Sequence, residues 1–123
     1  RRVLVHIEPE QVPSLVFTVR GQAAPGGETT ILAADAALLP PPLSGEMMLL
    51  LPARDAAALA NIINESGLLS ATNGLSDDLH GIGPLGLNVV AGKRQRYVAL
   101  RPEFLPEPMQ ALLDHVSELR KRF

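Results

Sequence analysis

The longest regular pattern of apolar positions lies at the C-terminal end of the chain. Met109, Leu112, Leu113, Val116, Leu119 and Phe123 recur at steps of 3, 1, 3, 3 and 4, which lays one stripe along a 3.6-residue helix and leaves Gln110, Asp114, Ser117, Glu118 and Lys121 on the other side. Pro106-Glu107-Pro108 marks the start, where spare N–H groups tolerate proline, and Arg120-Lys121-Arg122 places cations at the negative end of the helix dipole. Upstream, 85–90 and 94–100 flank Ala91-Gly92-Lys93. With Gly92-Lys93 as a two-residue II′ turn, Leu87 faces Val98 and Leu85 faces Leu100 on one side of a hairpin, and the other side carries Asn88 and Tyr97. A two-stranded hairpin is marginal in water, so it must join a larger sheet and bury its apolar side, with the C-terminal helix as the nearest cover.

Towards the N-terminus the period falls to two. Residues 2–8 set Val3, Val5 and Ile7 against Leu4, His6 and Glu8, a half-buried strand ended by Pro9 and Pro13. Residues 14–20 set Leu15, Phe17 and Val19 against Ser14, Thr18 and Arg20, and the turn-rich 21–27 then leads to a third strand over 28–34. These three read as a meander. Ala36-Ala37-Leu38-Leu39 is equally a strand end or a helical turn, until Pro40-Pro41-Pro42 forces an extended connector. The run 47–51, apolar on both faces and short, predicts a buried central strand stopped by Pro52. A second helix is predicted from Arg54 or Asp55, with Asp55 as cap, through Ala56, Leu59, Ala60, Ile62 and Ile63 to Ser66. Gly67 follows as its left-handed terminator, with Leu68 folding back on Ile63. Residues 69–83 have turn composition and no period, the kind of long loop in which function resides.

The order is β-β-β-β-α-loop-β-β-α. It predicts a single α+β domain over 1–123, with a mostly antiparallel sheet of five to six strands and two helices packed on one face. A chain of 123 residues buries one core without staples, and 46% hydrophobic content argues against disorder. The net charge of −2 offers nucleic acid no basic field, and one Tyr, three Phe and no Trp are too few for a base-stacking platform. No run approaches the roughly 18 apolar residues of a membrane span. With no cysteine, disulfides, thiolate metal sites and thiol chemistry are excluded, while the compartment stays open. The chain opens on Arg1-Arg2 without Met and so reads as a processed or trimmed product.

Candidate chemistry is sparse. Gly81-Ile82-Gly83-Pro84-Leu85-Gly86 matches G-x-G-x-x-G, but the glycines precede a strand instead of opening a helix, and Pro84 removes an amide donor, so no nucleotide cofactor is expected. Asp77, Asp78 and His80 are the tightest cluster of metal-ligand types; as adjacent turn-formers in a loop they read more simply as solvated charge. His6 and His115 are isolated. No serine sits in a nucleophile elbow, and no carboxylate pair occupies opposed environments, which makes an enzyme the minor reading. What remains is surface. Lys93, Arg94, Arg96 and Tyr97 make a basic, partly aromatic hairpin tip suited to an acidic protein face, with Asp77, Asp78 and His80 of the long loop as further contact candidates.

The second half also resembles a known family. Ile63-Asn64-Glu65-Ser66-Gly67-Leu68-Leu69-Ser70, then Asn88-Val89-Val90-Ala91-Gly92-Lys93, then Pro108-Met109-Gln110-Ala111-Leu112-Leu113 follow the order seen in emfourin-like small bacterial domains. That resemblance implies inhibition of thermolysin-like metalloproteases. The family's aromatic residues after the first helix are leucines here, the N-terminal half departs further, and no inhibitory residue carries over. The expectation is a non-catalytic protein-binding domain, inhibitor-like or regulatory, with a protein partner, no cofactor and no nucleic acid. The alternatives are a structural subunit of a homo- or hetero-oligomer, built through the hairpin edge or 47–51, and a small metal-binding or hydrolytic enzyme using the 70–83 loop.

Overall fold

A computed structural model describes residues 2–21, 24–41, 43–71 and 85–123. Six strands form one sheet in the order β1-β6-β5-β2-β3-β4: β1 (Arg2–Val3), β2 (Val16–Arg20), β3 (Thr29–Ala33), β4 (Glu46–Leu50), β5 (Leu85–Ala91) and β6 (Arg94–Leu100). Two long helices follow β4 and β6, α1 (Ala53–Ser66) and α2 (Glu107–Arg122).

The hairpin forms in the expected register, with Leu85 opposite Leu100, Leu87 opposite Val98 and Asn88 opposite Tyr97. Gly92 has φ 62°, and no other residue type among those described has positive φ, so only the first turn position is left-handed, as a II′ turn requires. Gly67 ends α1 at φ 82°. Pro52 and Pro106 stand immediately before the two helices. Asp55 lies in the first turn of α1 instead of capping it, because the helix starts two residues earlier than its position suggests; its carboxylate takes a hydrogen bond from Arg122.

Four sequence-based expectations are corrected. The sheet is mixed, not mostly antiparallel, since β1 runs parallel to β6 and β3 parallel to β4. The first three strands make no meander: β2 lies between β3 and β5, and β1 lies at the far edge beside β6. The strand expected over 2–8 shrinks to two residues. Beyond Leu4, whose N–H still donates to the Gln95 carbonyl of β6 at 2.9 Å, the chain leaves the sheet, and Asn64 of α1 pins Ile7 by accepting from its N–H (2.9 Å) and donating to its C=O (3.0 Å). Burial there follows Leu4 and Ile7, three apart, and Val5 stands 70% exposed. Finally, the run 47–51 is no central strand. The connector 34–45 returns the chain to the start of β3's free side, and α1 then carries it away, so β4 keeps a single neighbour at the sheet edge.

Strand register sets which side chains share a face. Phe17, Val19, Leu32, Leu49, Leu85, Leu87, Val89, Val98 and Leu100 fall on one side of the sheet. They join Leu59 and Ile63 of α1 and Met109, Leu112, Val116 and Leu119 of α2 in one buried cluster. Phe123, expected to continue the α2 stripe, is instead 47% exposed, since the helix ends at Arg122. The alternate residues, among them Val16, Thr18, Ile31, Ala33, Met48, Leu50, Val90 and Tyr97, face the other way.

Candidate functional site

The expected basic tip does not assemble as one surface. Lys93 is exposed in the turn, but Arg94 and Arg96 lie on the face of Ala91 and Val89, whereas Tyr97 lies opposite Asn88 on the reverse face. The two arginines are also committed to structure. Arg94 Nη1 reaches the Val3 carbonyl at 3.4 Å, and Arg96 Nη2 donates to the Ala71 carbonyl, tying β6 to the turn after α1. The turn itself is anchored: the Gly92 N–H donates to Ser14 Oγ at 2.7 Å, and Ser14 Oγ donates to the Gln11 carbonyl at 2.9 Å. Of the tip residues, Lys93 and Tyr97 are exposed, and Arg94 and Arg96 are half-buried. Asp77, Asp78, His80 and the glycine motif at 81–83 lie outside the described residues.

Three surface grooves are large enough to hold a small ligand. The one between the 6–13 segment and α1, about 560 Å³, has an apolar wall of Pro9, Val12, Pro13 and Ala60 with His6 and Glu65 also lining it; the amide of Asn64 there is already spent on Ile7. A second, about 620 Å³, lies where α1 and α2 meet, with Glu65, Asp114, His115 and Glu118 among its lining. His115 Nε2 is buried there without a hydrogen-bond partner, and burial, helped by the Arg122 cation and opposed by Asp55 and Glu118, pushes its pKa below the usual 6.5. Among the described residues, no three His, Cys, Asp or Glu side chains are grouped to hold a metal ion. The third, about 390 Å³, runs beneath Phe104 and is lined by Leu100, Leu105, Pro106 and Met109, with Arg101 stacked 5.8 Å from the Phe104 ring centre.

The more informative feature is β4. The Leu51 N–H donates to the Ala33 carbonyl at 2.8 Å, which fixes the phase of the parallel ladder: Met47, Leu49 and Leu51 turn their backbone groups towards β3. Met48 and Leu50 therefore turn theirs outward. Glu46, of the same phase, has its N–H already engaged; it donates to the Leu43 carbonyl, and the Glu46 carboxylate accepts from the Leu43 N–H, each at 3.1 Å. Apolar side chains are exposed here, Leu50 at 49% and, just before the strand, Leu43 at 68%. Native sheets blunt such edges with lysine, proline, bulges or very short strands. The opposite edge follows that rule, β1 being two residues long and set beside Arg94. β4 does not: its five residues, Glu46-Met47-Met48-Leu49-Leu50, hold one charge, at the very start.

The sequence carried part of this signal, since 47–51 is visibly an uninterrupted apolar run. Its place at an edge was not legible, because edge position depends on which strand β3 accepts on its other side. The fold and this edge define the class as a mixed-sheet α+β domain with one unprotected margin. Searches against family models, curated proteins and solved structures return no match for this chain.

Proposed function

We propose that this chain is a non-catalytic protein-binding domain, inhibitor-like or regulatory in kind, in which two helices roof one face of the sheet and a protein partner docks along the outer edge of β4. The observation that carries the reading is the outer edge of β4, where Met48 and Leu50 turn their backbone groups outward and the Leu50 side chain is exposed. An edge of this kind favours an extended segment of another chain, whose backbone supplies the missing hydrogen bonds while alternate side chains select the partner. The emfourin-type resemblance of the second half supports the same class, since it too implies a domain that acts by occupying a protein surface.

Affinity capture tests the proposal, with wild type compared against Leu50→Arg and against Lys93→Glu as a control at the hairpin turn. A specific protein partner is expected to be lost with Leu50→Arg and retained with Lys93→Glu. The same partner held equally by all three proteins would remove β4 as the docking edge.

A further inference from the structure

We infer that the occupant of the β4 edge is a second copy of this chain, paired antiparallel with the first about a twofold axis at Leu49. The inference rests on the docking reading above and adds a partner and a register to it.

A twofold axis perpendicular to the sheet brings two identical edges together antiparallel, so each outward residue must meet an outward residue. The outward set is Glu46, Met48, Leu50 and, beyond the strand, Pro52. Three centred registers satisfy that phase. With the axis at Met48, Leu50 lies opposite Glu46 of the second copy, whose N–H is already given to Leu43, and the Leu50 carbonyl is left without a donor. With the axis at Leu50, Met48 lies opposite Pro52, which has no N–H, and the Met48 carbonyl is orphaned. With the axis at Leu49, Met48 meets Leu50 of the second copy and Leu50 meets Met48, each pair exchanging two hydrogen bonds. Every outward N–H and C=O of both residues is then satisfied, and the one group left over is the Glu46 carbonyl, which faces Pro52 at the end of the ladder instead of in its middle.

Side chains agree with that register. Met48 and Leu50 lie on the reverse face, so the pairing sets two apolar cross-strand pairs side by side at the seam, covering Leu50. Charge does not oppose it: the two Glu46 carboxylates, the only charges in the paired strands, are about 20 Å apart at roughly 3.3 Å per residue over six residues. Pairing β4 with β1 of another copy would instead propagate head to tail into a filament, and the two-residue β1 offers too little edge for it. Self-pairing uses the one long edge each copy has and closes at two.

Sedimentation equilibrium from micromolar to millimolar concentration tests the inference on wild type, on Leu50→Glu and on Leu50→Glu combined with Met48→Lys. Wild type is expected to move from one to two chain masses. Leu50→Glu should weaken the dimer at least about tenfold, and adding Met48→Lys should recover most of that loss, because in this register the two substituted positions face each other twice. A wild type that stays at one chain mass throughout overturns self-pairing but leaves the docking reading to the capture experiment. Dimerisation unaffected by Leu50→Glu overturns β4 as the seam, and a loss that Met48→Lys does not recover overturns the register. Should a variant fail to fold by circular dichroism, amide exchange on the wild type decides: Met48 and Leu50 slow in concentrated and fast in dilute samples supports pairing, and rates independent of concentration overturn it.

Discussion

Arg120 is the single side chain that most firmly ties the end of α2 to the sheet. Its guanidinium donates to the Pro25 carbonyl, to Thr30 Oγ1 at 2.7 Å and to the Glu28 carboxylate at 2.6 Å, and Thr30 is fully buried. Arg120→Met should therefore lose about 3 kcal/mol in urea melts, because it strands a buried hydroxyl and an ion-pair partner together. The same guanidinium fills the space where a Cβ on Gly26 would lie, whereas nothing approaches the corresponding position on Gly27, although both glycines have positive φ. Gly26→Ala should cost about 2 kcal/mol more than Gly27→Ala, and the gap should close in the Arg120→Met background, a double-mutant comparison that separates overlap from backbone strain. His115 gives a pH prediction. Its folded-state pKa lies below 6.5, chiefly because burial disfavours the imidazolium, so the unfolded chain binds the proton more readily. That contribution to stability is full above about pH 6.5 and is lost as the pH falls towards the folded pKa. Unfolding free energy measured from about pH 7.5 down to about 5 should fall less steeply in His115→Gln than in wild type; an equal slope would mean that His115 does not carry the dependence. None of these contacts was legible from sequence, since Arg120 read only as dipole-compensating charge and Gly26 only as a turn former.

Elements with a strong local period were readable, and those set by distant partners were not. Leu85, Leu87, Val98 and Leu100 share a face because a two-residue turn dictates register, and α2 buries Met109, Leu112, Leu113, Val116 and Leu119 because nothing interrupts a 3.6-residue stripe. By contrast, the alternation of residues 2–8 was misleading: Asn64, 57 positions away from Ile7, supplies the hydrogen bonds that a neighbouring strand would have given. Asn64→Ala should cost about 1 to 2 kcal/mol and should selectively speed amide exchange at Ile7, while exchange in β5 and β6 keeps its wild-type rate until global unfolding. The strand over 47–51 formed where it was expected, yet its apolarity on both sides did not mean burial on both. Leu49 and Leu51 enter the core, whereas Leu50 faces outward at an edge.

At the scale of the whole molecule, a chain of local hairpins would give a wholly antiparallel sheet. Two long returns prevent it: the 34–45 connector aligns β4 with β3, and β1 joins the far side of β6. Parallel partners distant in sequence leave no local pattern, which is why the sheet's mixed character and its order escaped sequence reading while its α+β class did not. The same topology leaves one edge blunted and the other apolar and open, and the functional reading rests on that asymmetry. Residue-resolved amide exchange in β4, on a sample dilute enough to be monomeric, tests it most directly. Alternation is expected, with Met47 and Leu49 slow because they bond to β3, and Met48 and Leu50 fast because no strand among the described residues pairs with their outward side. Uniform protection across all four amides would contradict an open edge and, with it, the proposed mode of binding.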